Sequence, residues 1–218
     1  MPNVLHDQKP IWLFPASAAR GEHFVPTASA MFLTSGLVAL DPHDAPYFRS
    51  THTFNGFNRV LSGRNTSIGM AAFPLGFYAT GLLRKDRYAQ QTVLLAGEAV
   101  IDSEIVTTVV KDIDGRLRPS AISPNGNFED TWLADKTAAW RGRGSFPSGH
   151  MIAAMSIATT FADRYPKPAW HRWVAFGLAG LVGFSRITTQ AHFPSDVFAG
   201  AVLGYSITHF VVLRPHQP

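Results

Sequence analysis

Three short stretches gather the side chains of this chain that could do chemistry on an anion. The first, Lys111-Asp-Ile-Asp-Gly-Arg-Leu-Arg118-Pro119, sets two cations where a helix gives way to a proline-stopped loop. They can converge on one anion, although basic residues in a last helical turn also simply complement its dipole. The second, Gly144-Ser-Phe-Pro147-Ser148-Gly149-His150, leads directly into an apolar helical run. Ser148 is placed to be an N-cap, and the amides of Gly149 and His150 would then point out of a helix N-terminus, where phosphate oxygens bind favourably. A plain serine cap beside an incidental surface histidine fits the same letters. The third stretch is Ser185-Arg186-Ile-Thr-Thr-Gln-Ala-His192-Phe-Pro194-Ser-Asp196. Pro194 suits the first helical position, which leaves His192 just outside the helix and Asp196 in its first turn. The carboxylate can then reach back to one imidazole nitrogen, fix the tautomer and free the other nitrogen as a nucleophile or base. An acidic residue that only caps the helix start is the alternative.

Together the stretches form an ordered array, Lys-x6-Arg-Pro, Pro-Ser-Gly-His and Ser-Arg-x5-His-x3-Asp, far more specific than any one of them. The array resembles the signature of the type-2 phosphatidic acid phosphatase and vanadium-dependent haloperoxidase superfamily, over about Tyr88 to Leu213, with no signature position departing from the pattern. The resemblance implies that Lys111, Arg118 and Arg186 hold phosphoryl oxygens together with the Ser148 hydroxyl and the Gly149 amide. It implies that His192 attacks phosphorus to give a phosphohistidine, with Asp196 orienting it and stabilising the positive ring. His150 would protonate the leaving oxygen and then deprotonate the hydrolysing water, and Pro119, Pro147 and Ser185 would only shape the site. No metal or other cofactor is implied, because three cationic side chains take the place of one. Vanadate, a phosphate mimic, is implied as an inhibitor. It would be a cofactor coordinated by His192 only in a haloperoxidase, whose members are usually much larger.

Elements to position these stretches can be read along the rest of the chain. At 218 residues one domain is the default, and with 16% charged side chains the chain lies well below the roughly 25% of average soluble proteins, yet its mean hydropathy is near zero. Phe24 to Leu40 and Asn65 to Leu83 are uncharged and borderline as membrane spans, with a polar stretch, Asp41 to Arg64, between them that reads as loop plus one surface helix. Tyr88 to Val110 has helical composition but carries Glu98, Asp102 and Glu104, which must face protein, water or cations. Asp112 to Pro147 reads as a long functional loop. Three apolar helices follow, Ser148 to Tyr165, Trp173 to about Phe184 and Pro194 to Leu213, with small residues spaced for close packing. No clean period-two strand occurs, so the expected fold is an all-α bundle of about six helices with the site at one end. The expected division is an N-terminal extension over 1–23, one helical domain over 24–213 and a tail over 214–218.

Zero cysteines exclude thiolate chemistry, and a net charge of +4 without a run of like charges gives no reason to expect nucleic acid. The resemblance implies a metal-independent phosphatase acting on a lipid phosphate or prenyl diphosphate, an amphipathic partner drawn from a membrane. The aromatics Phe128, Trp132, Trp140 and Phe146 among Arg141 and Arg143 suit a membrane–water interface, unless they merely pack their loop. In a six-span arrangement the three stretches fall on the extracytoplasmic face, and Arg84, Lys85, Arg87, Arg164, Lys167, Arg172 and Arg214 on the other. A soluble periplasmic non-specific acid phosphatase is the alternative, and it would need a leader that Met1 to Arg20 does not resemble.

Overall fold

The computed structural model describes residues 3–134 and 144–214, and within them the chain is all-α, as the sequence suggests. The helices are α1 (Val4–Ala19), α2 (Phe24–Ser50), α3 (Asn55–Val60), α4 (Gly63–Leu83), α5 (Arg87–Asp114), α6 (Gly149–Arg164), α7 (Trp170–Thr188) and α8 (Pro194–Ile207). A π-helical turn over Thr208–Val212 continues α8, and a single 3-10 turn, Pro119–Ala121, follows α5. Beyond the six helices of the sequence reading stand α1, in the stretch read as an extension, and the short α3. The main boundary correction concerns α2, which runs through Asp41, Pro42 and Pro46 to Ser50 instead of ending near Leu40. Asp-Pro is local punctuation, but Asp41 is fully buried in an ion pair with Arg116, and that tertiary contact overrides it.

The central helix is α6, packed against α5, α7 and α8. Its buried face is small, with Ala154, Ala158 and Ala162, and α8 answers with Gly200 and Gly204 one turn apart. A Cβ on Gly204 would meet the Ile152 carbonyl oxygen at 2.6 Å, and one on Gly200 the Ser148 carbonyl oxygen at 2.8 Å. Only glycine permits this approach, which locks the N-terminus of α6 beside the first turns of α8. The carboxylates of α5 behave as lipid would demand: Glu98 and Asp102 are buried inside the bundle, and Gln8 of α1 donates to Asp102 at 2.8 Å.

The outer surface is unlike that of a soluble bundle. Phe32 on α2, Phe73 and Leu75 on α4 and Trp173 and Leu178 on α7 are exposed. Three helices, Phe24–Ser50, Gly63–Leu83 and Pro194–Val212, are long and apolar enough to cross a membrane. The charged turn before α5 meets the charged end of α6, where the Tyr88 hydroxyl donates to the Arg164 carbonyl and the Arg164 guanidinium lies 3.8 Å from the Tyr88 ring centroid. This basic end is opposite the end at which α5 finishes and α6 and α8 begin.

Candidate active site

At that opposite end the three stretches come together. Each occupies a helix terminus for a local reason. Helix α5 stops at Gly115, whose φ of +50° is a left-handed C-cap, so the chain turns and brings Arg118 back beside Lys111. Ser148 ends an extended segment immediately before α6, and Pro194 opens α8. A cavity of about 750 Å³ begins here, lined at its polar end by Ser67, Glu104, Lys111, Arg118, Gly149, His150 and His192. A Cβ at position 149 would sit 3.3 Å from Glu104 Oε1 and 3.5 Å from Lys111 Nζ, so glycine leaves room for an oxyanion beside the lysine.

Ser148 occupies the N-cap position without capping: its hydroxyl is buried and has no hydrogen-bond partner among the described residues, while its N–H donates to the Asp196 carbonyl at 3.0 Å. A buried hydroxyl left unsatisfied is costly unless a ligand takes it up, which is what a phosphate-holding residue requires. Arg186, also buried, donates through Nε and a terminal nitrogen to Ser185 Oγ at 3.1 and 2.9 Å, and onward to the Leu61 carbonyl. Ser185 therefore aims the arginine. Gly63 is needed for the same reason, since a Cβ there would come within 2.9 Å of the Arg186 guanidinium.

The two imidazoles are held differently. His192 is buried, and its Nδ1 lies 2.7 Å from the Ser145 carbonyl oxygen. A carbonyl only accepts, so Nδ1 carries the proton and Nε2 keeps its lone pair toward the cavity. Asp196 is not the direct partner that the spacing suggests: its Oδ2 stands 3.6 Å from Nδ1, an ion-pair distance and not a hydrogen bond. That oxygen instead accepts from Ser145 Oγ at 2.5 Å and from the Phe193 N–H at 2.8 Å. Asp196 therefore caps α8, as the alternative sequence reading has it, and faces the imidazole at ion-pair distance while the Ser145 carbonyl fixes the tautomer. Burial pushes the His192 pKa below the usual imidazole range, with Asp196 opposing this and Arg118 and Lys111 adding to it. His150 meets α4, with Nε2 3.0 Å from Ser67 Oγ and 3.2 Å from the Gly63 carbonyl oxygen.

The profile of the PAP2 superfamily matches residues 92–217. The chain belongs to the PAP2 superfamily. It is 31% identical over 191 residues to a lipid A 1-phosphatase of Rhizobium etli, covering 81% of this chain and 79% of that protein. It is also 31% identical over 146 residues to a bacitracin transport permease protein, BcrC, of Bacillus licheniformis, covering 65% of this chain and 66% of that one. Among solved structures, LpxE of Aquifex aeolicus shares the fold with a TM-score of 0.53 at 24% identity, over 78% of this chain and 94% of that one. The three helices long and apolar enough to cross a membrane, with their exposed apolar side chains, and the similarity to the lipid A 1-phosphatase support a membrane location for this PAP2 protein.

Several residues of the PAP2 site went unassigned at the level of sequence. Arg116, two residues before Arg118, is 2% exposed and bonds Asp196, Asp41 and Ser195. Asp41, Ser145, Gly63 and Ser67 are the others. Arg116 stood inside the first motif, so its presence was visible and its direction was not. Two of the loop aromatics follow the packing alternative, although Trp132 stays 38% exposed. Phe128 packs edge-on to Phe193 at 6.4 Å and Trp132 lies 4.3 Å from the Arg116 guanidinium, so these rings bind their loop to the bundle. Trp140, Arg141 and Arg143 lie outside the described residues.

Proposed function

We propose that this PAP2 protein is a membrane lipid phosphatase that cleaves a lipid phosphate or prenyl diphosphate by way of a phosphohistidine, without a metal. The observation that carries the lipid assignment is the shape of the cavity. From its polar end it continues between α4, α5 and α6 along Met70, Pro74, Leu75, Val93, Gly97 and Ile157. Val93 and Lys111 are 18 positions apart on α5, so the groove follows the helix for about 27 Å, close to the roughly 30 Å of a bilayer's hydrocarbon core. A phosphate at Lys111 and an apolar tail laid toward Val93 fill both ends with matching chemistry. A soluble sugar phosphate or nucleotide would leave the apolar length unused. The lipid A phosphatase relative supports a lipid-borne phosphate.

In this mechanism Lys111, Arg118 and Arg186, the Ser148 hydroxyl and the Gly149 N–H hold the phosphoryl oxygens and offset the charge of the transition state. His192 Nε2 attacks phosphorus as the bond to the leaving oxygen breaks, and His150 gives that oxygen a proton. His150 then takes a proton from water, whose oxygen displaces the phosphate from His192 and restores the free imidazole. Such acid–base work is typically worth about 10²–10⁴-fold. The basic turns carrying Arg84, Lys85, Arg87, Arg164, Lys167 and Arg172 lie at the other end of the bundle, and the positive-inside bias puts them in the cytoplasm and the site on the extracytoplasmic face. The test is a matched set of substrates, phosphatidic acid, a prenyl diphosphate, glucose phosphate and AMP, in one detergent. The lipids should give the higher kcat/KM; a soluble substrate equal to or above both would overturn the lipid assignment.

A further inference from the structure

The mechanism above leaves one buried cluster unused. Arg116 lies between the Trp132 and Phe193 rings, its guanidinium 4.3 and 4.2 Å from their centroids. One terminal nitrogen donates to Asp196 Oδ1 at 2.6 Å and to Ser195 Oγ at 2.8 Å, and the other donates to Asp41 Oδ2 at 2.6 Å. Ser195 closes the ring by donating its hydroxyl to Asp41 Oδ2, and its N–H donates to Asp41 Oδ1 at 3.2 Å. All four side chains are buried. The Arg116 carbonyl also accepts the Ser145 N–H at 2.8 Å, and the Ser145 carbonyl is the acceptor that holds His192 Nδ1. So the arginine reaches His192 by two routes, through the Asp196 carboxylate and through the backbone of Ser145.

Charge bookkeeping shows why a second carboxylate belongs there. When His192 accepts the phosphoryl group its ring becomes cationic, and Asp196 is the anion that meets it. Arg116 paired with Asp196 alone would cancel that anion. With Asp41 on the far side, the three ionised groups keep a net charge of −1, and Asp196 is both fixed in place and left electrostatically effective. Buried ion networks rarely add stability over a well-packed apolar alternative, so a purely architectural role is a weak reason for three buried charges.

Resting on the phosphohistidine reading, we propose that Arg116 and Asp41 are positioning residues of the reaction, setting the orientation and charge environment of His192 through Asp196 and Ser145. Asp41 comes from α2, outside the matched family segment, so the N-terminal half of the chain contributes to the chemistry and does more than anchor it.

The experiment compares purified Asp41→Asn, Arg116→Lys and Ser195→Ala with the parent, measuring kcat, KM, the rate of phosphoenzyme formation and the melting temperature on the same lipid phosphate. Asp41→Asn keeps shape and removes charge; Arg116→Lys keeps charge and removes the two-sided fork. Both should lower kcat and phosphoenzyme formation by roughly 10- to 100-fold, the scale typical when outer partners of a working imidazole are lost, with KM within about twofold. The acid limb of kcat/KM should also move down in Asp41→Asn, because a negative charge behind Asp196 is gone. The other charged groups acting on His192, Lys111 and Arg118, remain in place, as does Asp114 beside Asp196 and Arg116. Ser195→Ala retains every charge and is the fallback if a charge variant does not fold; it should lose a smaller part of kcat, about threefold to tenfold. Folded variants with parental kcat and an unmoved acid limb would overturn the proposal, as would losses that track only the folded fraction. If the parent shows no phosphoenzyme, the phosphohistidine reading fails first, and the two failures are told apart.

Discussion

Filling the groove far from the phosphate should penalise long-tailed substrates alone. Gly97 lines the cavity 14 positions from Lys111 on α5, or about 21 Å along the helix. A Cβ there meets nothing within 4 Å. Gly97→Leu therefore adds four carbons to open groove and none to the packed core, and it replaces a poor helix former, so folding should be unchanged or improved by up to about 1 kcal/mol. The leucine displaces roughly three methylenes of a bound tail, worth about 0.8 kcal/mol each, or about 2.4 kcal/mol in all. That is a loss of about 60-fold in kcat/KM for a dipalmitoyl lipid phosphate. A dihexanoyl homologue ends short of position 97 and should be cleaved at the parental rate. The assay is phosphate release from both lipids at fixed detergent, with a melting curve as control. Equal losses on both tails, or no loss on the long one, would refute the assignment of this groove to the lipid tail.

Other outcomes follow from the same geometry. Because burial lowers the His192 pKa below about 6.5, the neutral nucleophile persists to more acid pH, and kcat/KM should fall only as pH drops through that lowered value; a limb at or above the usual imidazole value would contradict it. His192→Ala should abolish turnover on every substrate, whereas His150→Ala should be partly rescued by an aryl phosphate with a low-pKa leaving group, measured as phosphoenzyme formation in a single turnover. Chelation with EDTA should leave activity intact and vanadate should inhibit competitively; loss on chelation restored by magnesium or zinc would remove the three-cation account.

What could be read from the letters, and what could not, follows from the range of each interaction. Lys111, Ser148, Gly149, His192 and Asp196 were legible because each sits at a helix terminus that local signals announce, Gly115, Pro147 and Pro194 among them. The Asp196 partnership was misjudged in detail, since the Ser145 carbonyl that holds the imidazole is 47 positions away and carries no side-chain signature. Asp41 was hidden more thoroughly. It stands beside Pro42 at the edge of an apolar run, where local chemistry reads as a turn, and only the buried Arg116, 75 positions on, carries the helix through it. The loop aromatics were likewise ambiguous between membrane surface and core: Phe128 joined the core against Phe193, while Trp132 packs on the Arg116 guanidinium and stays partly exposed. In the fold, the Gly200 and Gly204 pair was visible as small-residue spacing, but its partner carbonyls on α6 were not.

The central claim is that His192 carries the phosphoryl group. Its most direct test is a rapid acid-free quench of the enzyme with ³²P-labelled lipid phosphate, followed by proteolysis and mapping of the label. The account places acid-labile, alkali-stable phosphate on the peptide containing His192, absent from His192→Ala and accumulating in His150→Ala when an aryl phosphate supplies the leaving group. Label on any other residue, or full turnover by His192→Ala, would contradict it.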